Sequence, residues 1–390
     1  MANFTIRVVD SLAAVSPDKW DVFTADNPTL KHAWLQSMID AGCTTAATGW
    51  LPQFVLLERD VAGTAELAGA VPLYMKAHSY GEYVFDWAWA DAYQRAGLDY
   101  YPKLLCAIPF TPCTGSRLLA ANRQDRELLL AATIQITKQS DVSSLHILFP
   151  AEDEQALIAS HGLLARQAVQ FHWRNDNYRN FEDFLSRMSH DKRKRIKQER
   201  RRVIGAGVTL RRVSGPNLTS ADWDLFYLCY QSTYHAHRST PYLNRQFFAL
   251  IGERMRKNVL MVIAEKDGAP IAASLNLVNK TTLFGRYWGA TEFVSGLHFE
   301  TCYYQTIEYC IENGLTLFEG GAQGEHKLAR GFVPVKCASA HLIKDPRFAS
   351  AVTDFLRRES NGIEGYVDEL NEHQPYKTTD ATSELAIDTE

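Results

Sequence analysis

Between residues 315 and 334 the chain reads LTLFEGGAQGEHKLARGFVP, where Glu325, His326, Lys327 and Arg330 stand among Gly320, Gly321, Gly324 and Gly331. A carboxylate or an imidazole can take a proton from an incoming nucleophile. Adjacent residues of a helix point about 100° apart, so one of Glu325 and His326 would face a substrate. Lys327 and Arg330 are three residues apart, neighbours on one helical turn, and could clamp a phosphate or a carboxylate. Glycines let the backbone approach a ligand, which makes Gly321, Gln323 and Gly324 candidate binding positions. The plainer account is a surface turn followed by one charged helical turn. A loop that only has to turn needs one or two glycines, and this one has four.

The elements that must position these groups are legible on either side. A short apolar strand, Leu315 to Phe318, enters the loop, and a helix from about His298 to Asn313 precedes it with Phe299, Tyr303, Ile307, Cys310 and Ile311 as its apolar stripe. Glu300 and Tyr304 lie one turn apart on its polar side, where they could bond each other or serve chemistry. Farther upstream, VLMVIAEKDGAPIAASLNLVN predicts two strands around the turn Lys266, Asp267, Gly268, and TTLFGRYWGA a third. Arg286 and Trp288 share one face of that third strand.

The first half repeats this order with FVLLER, LAGAVPLYMK, a helix from Asp125 to Lys138 and the strand SLHILF. Corresponding strands are offset by about 205 residues at the start of the module and about 170 at its end, so the first copy carries an insertion. Within it, YVFDWAWADAY alternates as a strand with one aromatic face would, either as core or as a cleft wall lined by Asp86 and Asp91. Thr114, Gly115, Ser116 and Arg117 form a turn able to offer N–H groups and a guanidinium to an anion. The first half's counterpart of the glycine loop, LFPAEDEQAL, lacks the Glu, His, Lys, Arg set.

From Arg187 to Arg202 nine Lys or Arg face two acids, while Leu185, Met188, Ile196 and Val203 mark an apolar stripe. This predicts a docked helix whose basic face is either solvated or a phosphate-binding ridge. At 390 residues with 46% hydrophobic residues the chain fits two domains, and a net charge of −4 gives no global pull toward nucleic acid or membrane. The expected division is 1–175, 176–366 and a polar, acidic, partly disordered tail, 367–390. The N-terminus has no signal-peptide pattern and no apolar run approaches a membrane span, so the cytoplasm is the expected compartment. Seven cysteines without a C-x-x-C pair point to reduced thiols, with Cys302 and Cys310 in the core and Cys113 the one to test as a nucleophile. No histidine, cysteine or carboxylate cluster has metal-ligand spacing.

Two such modules, with the segments YVFDWAWADAY, YYPKLLCAIPFTPCTGSRLL, FHWRNDNY, GRYWGATE, LHFETCYYQ and GAQGEHKLARGF, resemble the FemAB-like family of bacterial predicted N-acyltransferases, within the GCN5-related N-acetyltransferase (GNAT) superfamily. The resemblance runs from about residue 5 to 365 and implies an α/β (α+β) fold of tandem GNAT-like modules, mixed central sheets flanked by helices. It further implies transfer of an acyl or aminoacyl group to a primary amine of a small molecule or cell-envelope precursor. No cofactor would be permanently bound, and acyl-CoA or aminoacyl-tRNA would be the cosubstrate, the latter through the helix Arg187 to Arg202. One departure leaves the donor open: the R/Q-x-x-G-x-G/A turn of acetyl-CoA-dependent members is replaced by ATEFVSGLHFE. Acyl transfer needs a neutral amine, a stabilised oxyanion and a proton for the leaving group. The candidates are His326 or Glu325 as base, Tyr304 as proton donor and the edge Arg286 to Gly289 for the oxyanion. Arg286, Trp288, Glu300, Gly321, Gln323, Gly324, Lys327 and Arg330 would contact substrate or donor. The rival reading is a non-catalytic module that binds an envelope precursor or nucleic acid.

Overall fold

The computed structural model describes residues 4–322 and 324–377. Its central feature is a mixed sheet of eleven strands among the described residues. From one edge these are Val208–Ser214, Val259–Lys266, Ala269–Val278, Thr282–Ala290, Leu317–Glu319, Leu164–Arg174, Val333–Ile343, Ser144–Leu148, Lys103–Cys106, Leu73–Lys76 and Trp50–Pro52. A four-stranded sheet, Phe4–Val9, Phe54–Val61, Thr64–Val71 and Leu119–Ala120, adjoins the first half. The runs Val259–Ala264 and Ile271–Val278 are buried along their whole length, which is why the first reads as a continuous apolar stretch and the second is broken only by the buried Ser274 and Asn276. Asp267 and Gly268 both take positive φ, as a two-residue hairpin requires.

The two halves are joined by an exchange of strands. Leu164–Arg174, which closes the first half, lies between Leu317–Glu319 and Val333–Ile343 of the second. Val333–Ile343 in turn runs antiparallel to Ser144–Leu148 of the first. Each half therefore completes the other's sheet, and side chains of both reach the seam.

Helices cover the sheet faces. Ser220–Ala236 starts at a reciprocal cap between Thr219 and Asp222, and it sits so close to Thr282–Ala290 that a Cβ at Gly289 would lie 1.8 Å from the Cys229 carbonyl oxygen. The basic segment is the helix His190–Gly205, with Ile196 and Val203 buried. Lys197 pairs with Glu182 and Arg200 with Glu300 and Glu308, while Lys192, Lys194, Arg201 and Arg202 enter no ion pair among the described residues.

Three expectations are corrected. YVFDWAWADAY forms no strand: from Trp87 to Arg95 it is a helix whose Trp89 and Tyr93, four apart, face inward against His341 and Phe348. The alternation before it reflects charge burial, since Glu82 and Asp86 turn in to the fully buried Lys103 while Phe85 and Trp87 turn out. The turn Thr114–Arg117 already holds an anion of its own chain, because Glu154 accepts from the N–H groups of Arg117 and Leu118, and the Arg117 guanidinium is used on backbone carbonyls. Finally, residues 367–372 continue the helix Pro346–Glu372, and Tyr376 donates to the Gly331 carbonyl at 2.6 Å. The remainder of the expected tail, 378–390, lies outside the described residues.

The close helix–strand approach gives a direct test. Gly289→Ala should lower unfolding stability by about 1–3 kcal/mol through overpacking, read as a fall in the urea midpoint. An unchanged midpoint would contradict the described contact.

Candidate active site

Thr282–Ala290 pairs in parallel with Leu317–Glu319 for three residues only, Thr282 with Leu317 through Phe284 with Glu319. Beyond Glu319 the chain turns away at Gly320, whose N–H goes to the Phe171 carbonyl, while the other strand runs on to Ala290. The parted strands leave a hollow of ≈ 320 Å³. Its upper wall is Gly285–Trp288, and its lower wall is Phe318 with Gly320–Ala322. Register against Ala269–Val278 slips here, Asn276 facing Gly285 and Leu275 facing Tyr287, so Arg286 is the extra residue of a bulge.

The edge above the parting is polar. Hydroxyls of Thr233 and Ser232 donate to the carbonyls of Trp288 and Ala290 at 2.8 and 3.1 Å. In an antiparallel strand a residue's N–H points to the same edge as its C=O, so the N–H groups of Trp288 and Ala290 also face the parting.

Side chains from two further elements enter the hollow. The helix after the strand begins at Leu297–Phe299, passes through a π-turn at Glu300–Tyr304 and resumes as Gln305–Glu312. From it come His298, Cys302 and Tyr303, and the 3-10 turn Glu325–Arg330 contributes His326 and Lys327. Tyr303 Oη and His326 Nε2 lie 3.0 Å apart and share a hydrogen. Burial, with Arg330 and Lys327 nearby, holds the His326 pKa below its ordinary 6.5, and the same causes with His326 bring His298 down to about 4. Both imidazoles are neutral at pH 7. Burial lowers Lys327 to about 8, and its Nζ donates to the Gly321 carbonyl at 3.2 Å. Tyr303, buried, is pushed far above the usual phenol range and keeps its proton.

The first half closes the hollow through Tyr83 and Pro112. Arg286 reaches across the seam, donating to the Phe110 carbonyl at 2.6 Å, the Thr111 hydroxyl and the Cys113 sulfur. Burial raises the Cys113 thiol to about 12, which removes it as a nucleophile, and raises Glu319 to about 7.

Of the residues singled out in the sequence, His326, Lys327, Arg286, Trp288 and Gly321 line the hollow. Glu325 does not: it and His326 are both exposed, but the Glu325 carboxylate is turned away to accept from the Tyr366 hydroxyl at 2.6 Å. Tyr304 is fully buried on the opposite side, bonded to Glu199, and Glu300 is buried against Arg200 and Gln305. Arg330 is likewise committed, paired with Glu199 at 2.8 Å and stacked on Phe299, so it forms no clamp with Lys327. Gly324 serves conformation at φ 117°, and Gln323 lies outside the described residues. Cys302, expected in the core, forms part of the hollow's floor. His298, at the helix start, and Tyr303 carry no sequence signal of a site; for Tyr303 the reason is a π-turn that inserts a residue and rotates the helix, putting it where a regular helix would present its neighbour. No sequence pattern marks that insertion.

A second hollow of ≈ 460 Å³ lies behind Trp288 and His298, which it shares with the first. The end of Ser220–Ala236 and the loop 291–296 enclose it, and Phe293 at its rim is 91% exposed. Gly296, closing that loop, lies beside the basic helix, where a Cβ would come within 3.4 Å of the Glu199 carbonyl oxygen and 3.5 Å of Val203. Among the described residues no group of three or more His, Cys, Asp or Glu could hold a metal ion. Nor is any helix there long and apolar enough to cross a membrane.

Comparison with known proteins decides the lineage: the FemAB-like family model, described by peptidoglycan biosynthesis and recognition, matches residues 11–378. The chain belongs to the FemAB-like family. No curated protein matches the sequence. The crystal structure of FemX shares 12% identity over 87% of this chain and 98% of its own, with a TM-score of 0.54, which shows the common fold. A tandem GNAT protein from the clavulanic acid biosynthesis pathway matches at 12% identity, 88% and 99% coverage and a TM-score of 0.46.

Neighbouring tyrosines give this FemAB-like site a clean control. Tyr304→Phe should cost about 1 kcal/mol in unfolding stability, because Glu199 loses one buried donor, and leave ligand affinity of the hollow unaltered. Calorimetry on the variant, with and without ligand, measures both.

Proposed function

We propose that this FemAB-like protein is an N-acyltransferase that passes an acyl or aminoacyl group to a primary amine, in the hollow between the parted strands. The reading is carried by one observation: a neutral imidazole, a phenol bonded to it and a bulged strand edge meet in that space. His326 takes the proton that the acceptor ammonium must lose, and the shared hydrogen with Tyr303 lets the phenol supply one to the leaving group. The N–H of Trp288 and the Lys327 ammonium offer charge to the tetrahedral oxyanion. Acceptor and donor would occupy the two hollows on either side of Trp288 and His298, so the reaction needs no covalent enzyme intermediate.

The rim of the second hollow supports one donor class over the other. Loop 291–296 lacks a phosphate-cradling glycine turn but abuts the basic helix. Lys192, Lys194, Arg201 and Arg202 on that helix suit a long polyanion, which favours aminoacyl-tRNA over acyl-CoA. The acceptor would be a cell-envelope precursor or a small amine, in keeping with the family's description.

Purified protein offered acyl-CoAs and charged tRNAs with amine acceptors, read by mass spectrometry, tests this. His326→Ala and Tyr303→Phe should each lower kcat by about 10²–10⁴-fold with an unchanged melting temperature. A module that only binds would give no acylated amine in any arm and equal ligand affinity in wild type and His326→Ala.

The pH profile of kcat at saturating acceptor is a separate expectation. Activity requires neutral His326, so the acid limb falls below pH 6.5. It requires protonated Lys327, so activity declines as pH rises through about 8. Lys327→Met should abolish the alkaline limb along with most of the rate; an alkaline limb that survives would remove Lys327 from the mechanism.

A further inference from the structure

The second hollow is far less polar than the residues around it. Each hydroxyl among its described lining residues is already bonded within the chain: Ser232 donates to the Ala290 carbonyl at 3.1 Å, Thr233 to that of Trp288 at 2.8 Å and Thr291 to that of Ile271 at 3.1 Å. Its carboxylate, Glu292, is paired with Lys266. The imidazole of His298 is neutral at pH 7, and His237 is exposed. What is left to meet a ligand is carbon, from Ala236, Ala290, Val294, Leu297, Phe299 and the Trp288 ring.

Such walls select by polarity. A polar group entering this space would lose water and gain no free hydroxyl or charged partner in exchange, which costs free energy. An apolar group removes its own surface from water there. An adenine ring would stack on these aromatics but leave its hydrogen-bonding edge unmatched. A cationic side chain would find no free carboxylate, and an anionic one would meet Glu292.

The hollow also lies on the path to the reactive centre. It shares Trp288 and His298 with the reactive hollow, so a group held in it reaches the parted strands past those two rings. On its other flank Gly296 lies beside the basic helix. A donor with its polyanionic part on that helix would bring its acyl end here, next to the bulged strand. Phe293 stands at the rim, 91% exposed, and an aromatic so fully in water gains cover only when something apolar lies against it. At ≈ 460 Å³ the space is far larger than a methyl group needs.

We infer that the second hollow receives the side chain or tail of the transferred group, and that this group is apolar and bulky: a branched or aromatic aminoacyl residue, or an acyl chain of several carbons. This rests on the acyl-transfer reading and adds to it the class of group transferred.

Two donor series titrated against the full chain without acceptor test it: one tRNA body acylated in turn with leucine, phenylalanine, serine and aspartate, and octanoyl-CoA beside acetyl-CoA. In the series that binds, the apolar members should bind about tenfold or more tightly than the polar or short ones. Phe293→Ala, at a side chain almost wholly in water, and Ala236→Trp, which fills the hollow from an exposed position, should each remove most of that preference while the melting temperature holds. His326→Ala should keep it. Equal affinity across the series, tighter binding of the serine or aspartate donor, a preference that survives Ala236→Trp, or no binding in either series would each overturn the inference. Adenosine binding that Ala236→Trp abolishes would assign the hollow to a nucleobase instead. The two readings fail separately: transfer at equal rates from every donor sinks the pocket alone, and apolar preference in binding without transfer to any amine sinks the enzyme alone.

Discussion

Backbone pairing that stops after three residues is the constraint from which the site follows. Up to Phe284 and Glu319 the two parallel strands satisfy each other; past Gly320 they cannot, and the N–H groups of the longer strand are left facing a space rather than a partner. Buried backbone must be paired, and here the carbonyls of Trp288 and Ala290 are met by hydroxyls of the covering helix. Gly289 makes this possible by letting the helix come close enough for Thr233 and Ser232 to reach.

Around the parting, charge is disposed so that only a few charged groups face the hollow. Arg330, Glu199, Glu300 and Arg200 look in sequence like the makings of a binding site, yet they are spent on one another beneath it. Their pairing holds the π-turn and the 3-10 turn at a fixed separation, and so sets the 3.0 Å between Tyr303 and His326. Partial burial first, and then the cations Arg330 and Lys327, hold the His326 pKa below its ordinary value.

Much of this was legible in the residues. Strands, the strand–turn–strand repeat, the basic helix, the bulge-prone run around Arg286 and the imidazole after the glycines all follow from periodicity and turn chemistry. What was not legible depended on long-range partners. Glu325 and His326 could be told apart only once Tyr366, some forty residues downstream, was seen to occupy the carboxylate. Tyr303 and Tyr304 differ by the rotation of a π-turn that no local propensity encodes. The aromatic run at 83–89 alternates for an electrostatic reason, the burial of Glu82 and Asp86 against Lys103, and alternation from that cause is indistinguishable in sequence from a strand.

The exchanged strands carry a consequence for biosynthesis. A nascent chain that has emerged as far as Arg174 has laid down Ser144–Leu148 and Leu164–Arg174, but the strand that belongs between them, Val333–Ile343, is still to be translated. The slot stays open for the whole time the ribosome needs to make the second half, with two unpaired edges on view. Proteolytic clearance or chaperone capture has its opportunity in that interval. A truncated product lacking the last strand would leave both halves unfinished rather than one.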